Sequence, residues 1–170
     1  MRTLPADADT AKQERWQLYG IHEVGHGAIS RVCGLPVHRL TLDYSPGLLG
    51  LGWSMKGRAH NIAWGTFRGA ASHAAAVACA GMEAEAMWTS ADTGCTVDAA
   101  RAAAERDRGN RSDLNAMHDA LADPDVTFTA DELRWQVNGV LFDLWDGLVA
   151  AADALCRTGR LSGRELDTYL

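Results

Sequence analysis

The hydrophobic repeat of this chain changes period at Gly34 to Pro36, and that change frames its N-terminal part. From Thr10 to about Cys33, Leu18, Ile21, Gly25, Ala28 and Val32 recur at three and four, the repeat of a helix with one buried face. Gly34 and Pro36 stop that helix. Beyond them Val37-His38-Arg39-Leu40-Thr41-Leu42 alternates as a strand does, and Ser45-Pro46-Gly47 reads as a turn. Leu49 to Met55 predicts a second strand, so a long helix runs directly into a hairpin. Gly50 and Gly52 weaken that strand unless another backbone approaches it closely.

The rest of the chain reads as helical. After a loop rich in Gly, His and Asn, a long helix is expected from about Thr66 to Trp88, and a short one from Val97 to Arg106. Gly109-Asn110-Arg111 breaks the pattern, and Ser112-Asp113 predicts a capped helix start that runs through Leu121 to the stop at Asp123-Pro124-Asp125. Thr129 to about Cys156 predicts one last long helix, capped by Gly159, with a final short helix from Ser162. Residues 1–9 read as a flexible lead-in and 10–170 as one domain, mainly α with a small β-hairpin or short sheet.

Composition narrows the function classes. A chain of 170 residues, 47% hydrophobic and 22% charged, fits one globular domain. Its 16 Lys and Arg are nearly all arginine and scattered under a net charge of -6, which argues against a nucleic-acid footprint. No stretch reaches the length of apolar residues that a membrane span needs, and the N-terminus lacks the apolar core of a secretory signal. The cysteines Cys33, Cys79, Cys95 and Cys156 form no CxxC pair, so reduced thiols and a cytoplasmic location are expected, without a Cys-rich structural zinc site.

The chemistry-bearing motif is His22-Glu23-Val24-Gly25-His26 on the first helix. Residues four apart lie on one helical face, so both imidazoles can reach one metal ion. Zinc acidifies the water it binds, and Glu23 is placed to act as general base. Gly25 is small enough to let a neighbouring element pack tightly at that point. His22 and His26 are therefore expected to hold one zinc ion, which needs a further protein ligand. A metzincin-type third histidine is excluded because its position is occupied by Val32. Glu83 or Glu85 on the next long helix could serve as in thermolysin-like sites, and an aspartate farther along is the other option.

The order of these segments resembles the peptidase domain of FtsH, the membrane-bound AAA+ zinc protease. That family's helix with HEAGHA leads into a strand "VHKVTI", a glycine-bearing turn and a strand "ALGxT"; HEVGHGAISRVCGLPVHRLTLDYSPGLLGLGWSM here follows the same course. Ala80-Gly81-Met82-Glu83-Ala84-Glu85 looks like a degraded "GGRxAEE", and Leu161 to Leu166 is similar to the closing "LxGEEL". The likeness covers about residues 14–170 and is sharpest in the first third. It implies a helical zincin-like fold and a third zinc ligand that is an aspartate at a helix start, in a context like "TGASNDLERA". Two segments compete for that role. Asp98 in Thr93-Gly94-Cys95-Thr96-Val97-Asp98 has the closer spacing to Glu85, whereas Asp113 in Gly109-Asn110-Arg111-Ser112-Asp113-Leu114 has the better local chemistry and is preferred. By the same resemblance, Glu85 either orients a ligand histidine from behind or is a solvated helix residue.

No GxxxxGK[ST] phosphate loop and no membrane anchor occur in this sequence, so the expectation is a free-standing, ATP-independent peptidase domain acting on peptides or unfolded protein. Hydrolysis of a small amide or ester, or a non-catalytic regulatory protein that keeps the metal fold, are the competing readings, and homo-oligomerisation is left open. His38, inside the first strand, reads as a residue that caps or packs locally, and His60, His73 and His118 read as ordinary polar positions. Trp53 reads either as part of an edge strand that pairs with an extended peptide or as a partly exposed aromatic, and Trp135 and Trp145 as core or interface.

Overall fold

The computed structural model describes residues 6–46, 53–61 and 71–170. Helix α1 (Ala6–Val32) leads into a three-stranded antiparallel sheet, β1 (Val37–Pro46), β2 (Trp53–Asn61) and β3 (Arg160–Ser162), in the order β2-β1-β3. Between β2 and β3 come α2 (Ala71–Thr93), α3 (Val97–Ala104), α4 (Arg111–Leu121), α5 (Ala130–Asp143) and α6 (Trp145–Thr158). A short α7 (Gly163–Leu166) follows β3. The fold is mainly helical with one small sheet beside the motif helix, as the sequence predicts.

Local chemistry explains most boundaries. Gly34 adopts φ 73°, a left-handed conformation that side chains resist, which lets the chain turn from α1 toward β1. Thr96 caps α3 by accepting from Ala99 N, and reciprocal Thr129–Glu132 and Ser162–Glu165 capping boxes start α5 and α7. Helices α1 and α2 pack closely: a Cβ on Gly25 would stand 2.8 Å from both Ala80 O and Ala84 Cβ. The core gathers Ile21, Val24 and Ala28 of α1 with Val77 and Ala84 of α2, Leu40 of β1, and Leu148 and Leu155 of α6. Each large aliphatic side chain buried there contributes about 1.5–3 kcal/mol.

Several boundaries differ from the sequence reading. Helix α1 already covers Ala6 to Asp9, part of the expected lead-in. The second strand is described over Trp53–Asn61: it contains Trp53 to Met55 of the expected Leu49–Met55 and runs six residues beyond, while residues 49–52 lie outside the described residues. The physical reason is pairing: β1 is long, and β2 matches it from Pro46↔Trp53 to Val37↔Asn61, so ladder bonds override the poor strand propensity of Lys56, Gly57 and Asn61. His38 sits at the register irregularity in this ladder and is exposed. Helix α2 runs on to Thr93, ending at Gly94; the expected start at residues 66–70 lies outside the described residues. The helix expected over Thr129–Cys156 is two helices bent at Leu144, whose φ −99° and ψ 5° leave the helical basin while Leu148 N still donates to Leu144 O at 2.9 Å. That bend leaves the hydrophobic period intact, so no repeat could reveal it. Strand β3 was missed because three residues are too short to show an alternation.

Candidate metal centre

The three residues of the preferred ligand set come together from two helices. His22 and His26 project from successive turns of α1, and Asp113 from the first turn of α4. His26 Nε2 and His22 Nε2 are 3.0 Å apart, and Asp113 Oδ2 lies 3.1 Å from His22 Nε2 and 3.4 Å from His26 Nε2. Ligand atoms around a tetrahedral zinc with bonds of about 2.0–2.1 Å stand about 3.3 Å from one another, so this triangle fits such an ion. Among the described residues these three form the group able to hold a metal.

Both imidazoles are aimed from behind. His26 Nδ1 is 2.6 Å from the backbone carbonyl of Val77, an acceptor only, so it carries the proton and turns the Nε2 lone pair into the cluster. His22 Nδ1 donates to Glu85 Oε2 at 3.2 Å, which sets the same tautomer. Ser30 Oγ donates to His26 O at 2.7 Å. Helix α2 passes directly over the pair at Gly81, where a Cβ would stand 2.5 Å from His26 Nε2 and 2.6 Å from His22 Nε2. The missing side chain leaves space against both nitrogens, a cradle any larger residue would fill.

The electrostatics are those of a cation site. Burial works against the His22 cation, but hydrogen bonds to Asp113 and Glu85, with the charge of Glu23, push its pKa up to about 10. For Asp113 burial acts upward, yet hydrogen bonds with His22 and His26 hold the carboxyl well below the usual carboxylate range. The cluster therefore favours one positive charge at its centre, supplied by a proton on His22 or by a metal ion. Glu23, next in the chain to His22, is buried at 7% exposure.

The other candidates have different roles. Asp98 is exposed, stands in the first turn of α3, and pairs with Arg101. Glu83 is 1% exposed and faces away from the cluster partners, accepting from Arg101 Nε at 2.6 Å, Arg101 Nη2 at 2.8 Å and Asn138 Nδ2 at 3.0 Å. It ties α2 to α3 and α5 in place of ligating. Glu85 reaches the cluster through His22 Nδ1 alone. His73 and His118 stay outside the metal-holding group, His118 being exposed. Trp145 packs against the core, whereas Trp135 is 79% exposed.

Two site residues were missed by the sequence reading. Asn110 is buried and donates from Nδ2 to Glu85 Oε2 at 2.8 Å and to Ala104 O at 3.0 Å. Ser112, expected as the cap of the following helix, is exposed; α4 begins at Arg111, with Asn110 at the cap position making no side-chain cap bond. In the sequence Gly81 is only one residue of the Ala80–Glu85 segment, and its distance to the imidazoles depends on how α2 crosses α1.

No protein-family model matches this chain, and no curated protein matches it significantly. Among the described residues no helix is long and apolar enough to cross a membrane, and all four cysteines are free thiols.

Proposed function

We propose that this protein is a zinc-dependent metallopeptidase in which His22, His26 and Asp113 hold one ion and Glu23 is the general base. The observation that carries the reading is the convergence of two Nε2 atoms and one carboxylate oxygen within 3.4 Å of one another, with Glu23 buried on the same helix. A purely structural site has no use for a base beside its ligands, so Glu23 favours catalysis over a regulatory role. The resemblance of the segment order to the FtsH peptidase domain supports a peptide as substrate.

When bound, zinc supplies Lewis acidity, polarising a carbonyl and acidifying water. The chain's own groups do the rest. Glu85 and the Val77 carbonyl hold the imidazoles in the ligating tautomer, Asp113 balances the positive charge, and Glu23 takes a proton from the attacking water and delivers it to the leaving amine. Among the described residues strand β2 is at the edge of the sheet, where an extended peptide can add by backbone hydrogen bonds. The substrate in this reading is a peptide or an unfolded protein, and the free thiols fit the reducing cytoplasm.

The test compares zinc-loaded wild type with Glu23→Gln on unfolded-protein and peptide-library substrates. The variant is expected to keep zinc and to lose about 100- to 10,000-fold in turnover. Equal cleavage by both proteins would remove Glu23 from the chemistry. A zinc-loaded wild type that cleaves no peptide would sink the peptidase reading and turn attention to small amides or esters.

A further inference from the structure

We infer that Asn110 is a positioning residue of the metal centre, holding His22 in place from both of its ring nitrogens without touching the ion. This inference rests on the metal-site reading and adds to it a residue that neither ligates nor neighbours a ligand in sequence.

The geometry closes a ring. His22 Nε2 faces Asp113 on α4, and His22 Nδ1 faces Glu85 on α2. The two carboxylates belong to different helices, so something must fix α4 against α2 for one imidazole to meet both. Asn110 stands immediately before α4, one helical turn ahead of Asp113, and its side-chain nitrogen binds the same Glu85 Oε2 that receives His22 Nδ1. The amide orientation is fixed by chemistry, since both of its partners, Glu85 Oε2 and Ala104 O, are acceptors only. Its second bond fastens the same residue to the last carbonyl of α3. Asn110 thus anchors the start of α4 and restrains Glu85 at once, while forgoing the cap bond its position would otherwise invite.

A matched pair elsewhere on α2 supplies the control. Asn138 donates to Glu83 at 3.0 Å, another amide on a carboxylate of the same helix, but with no histidine beyond it. If Asn110 were only a stabilising contact, the two asparagines would behave alike.

The experiment measures zinc affinity by chelator competition, the visible spectrum of the cobalt-substituted protein, and the thermal midpoint of the metal-free protein, for wild type, Asn110→Ala, Asn110→Asp and Asn138→Ala. Asn110→Asp keeps the shape while removing the donor, so it carries the test if Asn110→Ala fails to fold. Expected are a loss of about 10- to 100-fold in zinc affinity and an altered cobalt spectrum for the Asn110 variants. Asn138→Ala is expected to lower the midpoint with affinity and spectrum unchanged. Wild-type affinity and spectrum in a folded Asn110 variant, or an equal affinity loss in Asn138→Ala, would overturn the role of Asn110 while leaving the metal site standing. A wild type that binds neither zinc nor cobalt would overturn both.

Discussion

An added Cβ on Gly81 would stand 2.5 Å from one imidazole nitrogen and 2.6 Å from the other, closer than unbonded atoms tolerate. The neighbour cannot yield cheaply, because each ring is held at its far nitrogen by Glu85 or Val77. Gly81→Ala is therefore expected to abolish stoichiometric zinc binding although alanine is the better helix former. Metal content and circular dichroism decide it: a helical variant that binds zinc fully would show that the cradle is not needed. The protonation of His22 gives a second residue-scale prediction. Its pKa of about 10 in the fold, against the ordinary 6.5, means that zinc must displace a proton at neutral pH. Apparent zinc affinity should rise about tenfold per pH unit between about pH 7 and 9, with proton release in calorimetry. For the metal-free protein, the raised pKa stabilises the fold fully below 6.5 and is lost as pH rises through about 10. The depressed Asp113 stabilises it above the ordinary carboxylate range and loses that effect in acid. A zinc affinity that does not change with pH would refute the buried imidazolium.

At the scale of elements, α2 is the helix on which both networks hang. Glu85 looks toward α1 and α4, while Glu83 anchors α3 and α5 through Arg101 and Asn138. Glu83 is almost fully buried, so removing its main partner leaves a charge without adequate compensation. Arg101→Met is expected to cost about 3 kcal/mol in urea unfolding, with a smaller cost when combined with Glu83→Met. A single variant as stable as wild type would mean that Asn138 and solvent suffice. By sequence alone Asp98 and Glu83 are eligible as ligands. Both are acids at reasonable distances along the sequence, and only the direction each side chain takes from its helix separates them from Glu85 and Asp113. Local signals carried the helix starts at Thr129 and Ser162, where the structure has capping boxes complete within four residues. They could not carry β3 or the bend at Leu144, which answer to distant partners.

For the whole molecule, the ligands belong to helices separated along the chain by β1, β2, α2 and α3, so an ion at the centre joins segments that the unfolded chain holds far apart. An ion that binds only the folded form at about 100 times its Kd adds about 2.7 kcal/mol. For a domain of this size that raises Tm by about 5–10 °C. Differential scanning calorimetry with zinc and with chelator checks this, and His26→Ala is expected to remove the shift. A Tm indifferent to both would leave the cluster without an ion to hold.

The sequence by itself determined the motif helix, the passage into a sheet at Gly34, and the pair His22 and His26 with Glu23 between them, because these depend on residues within a few turns of one another. It named Asp113 and Asp98 together and could rank them only by their neighbours. The crossing of α2 over α1 and the docking of α4 decided the rest: which aspartate meets the imidazoles, which glutamate stands behind His22, and that Gly81 and Asn110 belong to the site. Those relations join residues about 25 to 91 positions apart, and packing alone sets such distances.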